Sequence, residues 1–108
     1  FSSTVKTKVE RLDLRGYDPP ALASRLPHPF LVLQGERDYQ VTMADFARWR
    51  AALESRANVT LRSYPALNHI FMAGSGPSLP AEYLVPGHVD VQVVDDIARW
   101  ITDVARRP

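Results

Sequence analysis

Pro29-Phe30-Leu31-Val32-Leu33-Gln34-Gly35-Glu36-Arg37-Asp38 decides how the chain is read. Phe30 to Leu33 is a continuous apolar run, with a proline on one side and a polar, glycine-containing stretch on the other. Such a run between breakers fits a strand covered on both faces, as in a parallel sheet. The polar residues after it then form the loop at the C-terminal end of the strand. Open α/β sheets carry their sites at that edge, and Asp38 lies in this loop.

Working outward, Pro27-His28-Pro29 forces extended backbone before the strand. Pro19–Arg25 reads as a short helix, with Asp18 as its N-cap, prolines in the first turn, and Ala21, Leu22 and Leu26 facing inward. Further upstream, Val5, Val9, Leu12 and Leu14 stand among charged residues of Val5–Arg15, and Gly16 suits the end of a short helix there. Downstream, the spacing of Phe46, Trp49, Ala52 and Leu53 predicts a helix from Met43 to Arg56, capped by Thr42 with Asp45 at the third helical position and ended by Asn58. Val59–Tyr64 alternates apolar and polar residues and reads as a second strand with one face covered, closed by Pro65. Residues 66–89 hold Pro77, Pro80, Pro86, Gly74, Gly76 and Gly87 and read as a long loop, a length usually tied to function. Val91–Val104 reads as a last helix, with Val94, Ile97, Ala98, Ile101 and Val104 as its buried stripe and Asp95, Asp96 and Arg99 outside. Strands alternating with helices imply a parallel sheet under helices. Two strands are too few for such a sheet to stand alone, so the pattern reads as the end of something larger.

Composition narrows the partners. The chain has 108 residues, room for one domain, with an ordinary hydrophobic share of 45% and charged share of 23%. Its 13 basic and 12 acidic residues give a formal net charge of +1, which offers no footprint for nucleic acid or an anionic membrane. Lys6, Lys8, Arg106 and Arg107 read as solvated ends. The absence of cysteine excludes disulfides, thiolate metal sites and a cysteine nucleophile. No apolar run reaches the length of a membrane span, and no signal peptide is visible, so a cytoplasmic location is expected. The chain opens at Phe1, and its start is expected to have been removed.

His69 follows the second strand as Asp38 follows the first. If the strands are parallel neighbours, both side chains emerge on one edge of the sheet within hydrogen-bonding reach. Pro29 to Val41 resembles the stretch that holds the acidic triad member of α/β-hydrolases: an apolar strand, a glycine, two residues, the aspartate, two residues and a valine. Tyr64-Pro65-Ala66-Leu67-Asn68-His69 resembles the stretch that holds their catalytic histidine, and the final helix through Trp100 and Ile101 is similar to the family's last helix. The resemblance runs from about Tyr17 to Ile101.

The resemblance implies the C-terminal segment of a three-layer α/β/α sandwich, a partial hydrolase domain over residues 1–108. In it Asp38 would orient the imidazole and His69 would act as general base for a serine upstream in a Gly-x-Ser-x-Gly turn. No such turn occurs here. Ser75 has glycines directly beside it and follows His69, the wrong place for the elbow, and Ser2, Ser3, Ser24, Ser55, Ser63 and Ser78 carry no elbow signature. The isolated chain is therefore expected to be inactive. The resemblance implies a serine hydrolase acting on ester or related acyl bonds of a small molecule, with no cofactor or metal. The alternative is a noncatalytic interaction module with ancestral triad remnants. Association with the missing N-terminal part, or self-association, is expected, because the open side of the first strand would otherwise be a bare edge. The remaining histidines have no metal-ligand spacing: His28, between prolines, reads as structural, and His88, at a position similar to one in some relatives, reads as a surface loop residue. Trp49 and Trp100 read as packing residues. Tyr39 and Gln40 stand where they could shape a pocket, and the loop at 70–89 could form one wall of it.

Overall fold

The computed structural model describes residues 17–107, so the reading of Val5–Arg15 and Gly16 lies outside the described residues. Those described form a small α/β unit with helices α1 (Pro19–Ser24), α2 (Met43–Leu53) and α3 (Val91–Arg106) and strands β1 (Phe30–Gly35) and β2 (Val59–Tyr64). A 3-10 helix, Pro80–Leu84, breaks the long connection before α3. The strands pair in parallel, in a register running from Phe30 opposite Val59 to Gly35 opposite Tyr64. Both therefore end at the same edge.

Local chemistry explains most boundaries. The Asp18 carboxylate accepts the Ala21 N–H at 3.3 Å and starts α1, satisfying one of the orphan donors of a first turn. The Asp45 carboxylate accepts the Thr42 N–H at 3.1 Å and starts α2. This helix ends at Leu53, with Glu54 as its cap, rather than at Arg56. Arg56 and Asn58 have a different task. The Arg56 guanidinium donates to the carbonyls of Ala23 at 3.2 Å and His28 at 2.6 Å, and the Asn58 amide donates to Pro27 O at 3.1 Å. Together they pin the turn between α1 and β1. His28 contributes its carbonyl to this junction while its residue is exposed.

Three expected burial patterns are corrected. In α1, Pro20 and Ala23 are buried, whereas Leu22 and Leu26 remain 45% and 40% exposed. A helix this short has one side to turn toward α2, which it packs against, and Pro20 and Ala23 occupy that side. β1 is half-buried from Phe30 to Leu33 and fully buried only at Gln34 and Gly35, because the described elements do not cover both of its faces. In α3 the inward face carries Val93 and Asp96, while Val94, Ile97 and Ile101 are 52%, 38% and 55% exposed. The cause is a partner for the charge: the Tyr64 hydroxyl donates to Asp96 Oδ2 at 2.7 Å in a buried contact. Val93, one turn earlier, enters the core formed with Tyr64 and Leu67, against which Leu33 and Phe71 pack. Together these two residues fix the rotation of the helix, and the more apolar stripe lies on the adjoining face.

Candidate active site

The turn after β1 is built by its own side chains. Asp38 Oδ1 accepts the backbone N–H groups of Gln40 at 2.8 Å and Val41 at 2.9 Å. The buried Gln34 amide closes the turn from below, donating to Val41 O at 2.6 Å and Gly35 O at 3.0 Å. Gly35 is needed for close approach: a Cβ there would collide with the Asn68 carbonyl oxygen and lie 2.6 Å from that of Leu67.

The turn after β2 depends on Asn68, which is 2% exposed. Its side-chain oxygen accepts the N–H groups of Ile70 at 3.1 Å and Met72 at 3.0 Å. These bonds hold a tight reversal in which Phe71 takes a positive φ of 60°, a conformation uncommon outside glycine. Phe71 is fixed there by edge-on packing against Tyr64, with centroids 6.3 Å apart, and by its carbonyl, which accepts the Asp90 N–H at 2.8 Å.

The two turns bring Asp38 and His69 together. His69 Nδ1 lies 2.8 Å from Asp38 Oδ2, with the aspartate side chain 6% exposed and the histidine side chain 38% exposed. Burial pushes the Asp38 carboxyl up, but donation from Val41, His69 and Gln40 and the charge of His69 outweigh it, so the group titrates below the ordinary carboxylate value. An ionised Asp38 accepts only, so Nδ1 must donate, and a neutral His69 then carries an unprotonated Nε2. Among the described residues no hydrogen bond reaches Nε2. The arrangement can accept a proton at Nε2 and stabilise the resulting imidazolium through Asp38.

Among the described residues no serine completes this pair. The hydroxyls of Ser24, Ser63 and Ser78 donate to Ala21 O, Glu36 and Glu82, and the Ser75 carbonyl accepts from Arg37 at 3.4 Å. No group of three or more His, Cys, Asp or Glu among the described residues could hold a metal ion. His88 is exposed and lines a cleft of about 490 Å3 with Asn68, Met72, Val85 and Asp90. Trp49 and Trp100 are both half-buried.

Arg37, like Gln34 and Asn68, is a residue that sequence reasoning passed over. Its side chain is 8% exposed. It donates to Gly76 O at 2.8 Å, Ala66 O at 3.4 Å and the Glu82 carboxylate at 2.5 Å, and its backbone N–H donates to Leu67 O at 2.9 Å. It joins the aspartate turn, the histidine turn and the following connection. Its partners lie 29 to 45 positions along the chain, so nothing local signals the role.

The structure thus brings together parallel strands that end at one edge, each followed by one member of a hydrogen-bonded aspartate–histidine pair. The chain is 47% identical over 89 residues to esterase EstD of Thermotoga maritima, a match covering 82% of this chain and 22% of that protein. The chain thus spans about a fifth of the length of the curated relative it matches. No protein-family model and no solved structure matches it. The similarity is thus to part of a protein named an esterase.

Proposed function

We propose that this chain is the C-terminal part of an α/β-hydrolase domain that cleaves ester bonds, with Asp38 and His69 as the acid and base of a Ser-Asp-His triad. The serine comes from polypeptide outside these residues. The observation that carries the reading is the 2.8 Å contact between His69 Nδ1 and a buried Asp38, which leaves Nε2 for the chemistry. Nε2 takes the serine proton as the oxygen attacks the ester carbonyl, and the same proton then passes to the departing alkoxide. Water repeats the cycle on the acyl-enzyme, with Nε2 again accepting and returning the proton. Asp38 remains ionised throughout. The remainder of the domain covers the exposed face of α3 and the free edge of β1, and the enzyme works in the cytoplasm on a small acyl substrate.

The test is a graft. The matched residues of this chain replace their counterparts in the Thermotoga maritima esterase, and hydrolysis of p-nitrophenyl butyrate is followed. The folded chimera is expected to be active, His69→Ala to lower kcat/KM by about 10^3-fold or more, and Asp38→Asn by roughly 10^2- to 10^4-fold. Activity that survives His69→Ala within a factor of ten removes the reading, as does a folded chimera without activity.

A further inference from the structure

Residues 74–84 cross the molecule beside the Asp38 turn, and they are held there by polar bonds more than by packing. The 3-10 helix at Pro80–Leu84 buries none of its residues. Its anchor is Glu82. One carboxylate oxygen meets the buried Arg37 guanidinium at 2.5 Å, and the other accepts from the Ser78 hydroxyl and, at 3.2 Å, from the Leu79 N–H. Arg37 also holds the Gly76 carbonyl, and a Cβ at Gly74 would collide with its guanidinium. Only the Arg37 end of this pair is buried, and the Glu82 side chain is 30% exposed; a charge-assisted bond of this kind is stronger than a neutral one.

The latch places one side chain beside the candidate site. Tyr83 follows Glu82, and its ring stacks on Tyr39 with centroids 6.1 Å apart and planes 22° from parallel. Its hydroxyl accepts from the Gln40 amide at 3.1 Å. Gln40 in turn gives its backbone N–H to Asp38. The aromatic pair is thus tied to the acid through a single residue. Tyr39, next in the chain to Asp38, is 42% exposed, and Leu79 and Leu84 on the strap are 61% and 85% exposed, so the strap presents apolar surface to solvent.

We propose that the Tyr39–Tyr83 pair is a specificity-determining surface that receives a flat, aromatic part of an ester, and that Arg37 is the positioning residue that holds it in place. The proposal rests on the hydrolase reading for its substrate class. Two offset rings with polar hydroxyl ends suit a planar apolar group better than a flexible alkyl one, because stacking geometry adds to burial for the first only.

The test uses the chain itself. Ring resonances of Tyr39 and Tyr83 are followed by NMR while 1-naphthyl acetate or ethyl acetate is added. Naphthyl acetate is expected to shift both rings saturably, with an affinity at least about fivefold tighter than ethyl acetate. Tyr83→Ala and Arg37→Met should each abolish that preference with the far-UV circular dichroism unchanged, and Arg37→Lys should restore part of it by keeping the charge opposite Glu82. A role for Arg37 in stability alone would lower the melting temperature without touching the preference. Equal response to the two esters, no saturable shift, or a preference that survives Tyr83→Ala overturns the proposal. Saturable naphthyl binding beside an inactive folded graft would instead remove the triad and leave the aromatic surface standing.

Discussion

The turns that follow β1 and β2 and the outer face of α3 resolve their chemistry in opposite ways. In the turns nearly every polar group that could bring the chain together finds a partner within the chain. Asp38 is held by two backbone amides and His69, Asn68 by two others, and Arg37 by three carbonyls and a carboxylate. On α3, Val94, Ile97 and Ile101 stand exposed while an aspartate occupies the inner face. Hydrogen bonds are directional and short, so a site can be completed by a few residues wherever the turns allow it. Apolar burial needs area, and the described elements supply too little to cover that helix. The Asp38 and Asn68 turns are closed by their own hydrogen bonds, whereas the apolar face of α3 is left uncovered.

This contrast is most easily broken at Gly35, where the two turns touch. In Gly35→Ala the new methyl meets backbone carbonyls of Leu67 and Asn68, which cannot swing aside as a side chain could. Overpacking of this kind costs about 1–3 kcal/mol. For a unit this small that is a fall in melting temperature of roughly 4–8 °C for each kcal/mol. Thermal unfolding checks it. The His69 turn should loosen with it, seen as faster amide exchange at Ile70 and Met72. Unchanged exchange there would mean that the histidine turn does not depend on the closeness of β1.

An effect of similar size tests the other side of the comparison. Tyr64→Phe removes the only hydroxyl that the described residues place on Asp96, leaving a buried carboxylate short of a donor, at a cost of about 1–3 kcal/mol. Urea unfolding measures it. A neutral result would show that Asp96 is solvated, and the helix would then be free to turn its apolar stripe inward. That stripe is also where the sequence misleads. Hydrophobicity at helical spacing ranks Val94, Ile97, Ala98 and Ile101 as the inner face and places Asp96 outside. It cannot register that Tyr64, 32 positions earlier, offers the carboxylate a buried donor. The strands, the α2 cap and the meeting of Asp38 with His69 were legible because each is written in neighbouring residues and in the shared direction of two strands. The Arg37 latch, the Gln34 clamp and the Asn68 turn were not. Arg37 looks like a spacer between glycine and aspartate until its distant acceptors are in view.

The smallest expected effect is the dependence of stability on acid. Burial, the largest single influence on Asp38, opposes the donors around it, so the net lowering is what remains of two larger influences. A carboxyl whose folded value lies below its unfolded value binds fewer protons when folded. It therefore contributes stability above its unfolded value, near the ordinary 3.8, and loses that contribution as pH falls through the lower folded value. Glu82, lowered first by the Arg37 guanidinium and next by Ser78, has the same sign. Urea midpoints taken from pH 6 downward should thus decline more steeply for the parent chain than for Asp38→Asn, with the two curves converging once both carboxyls are protonated. Parallel curves across that range would mean that Asp38 gains nothing from its turn when ionised. The completeness claimed for the aspartate–histidine edge would then be a matter of shape alone, and the edge and the helix would differ less than their hydrogen bonds suggest.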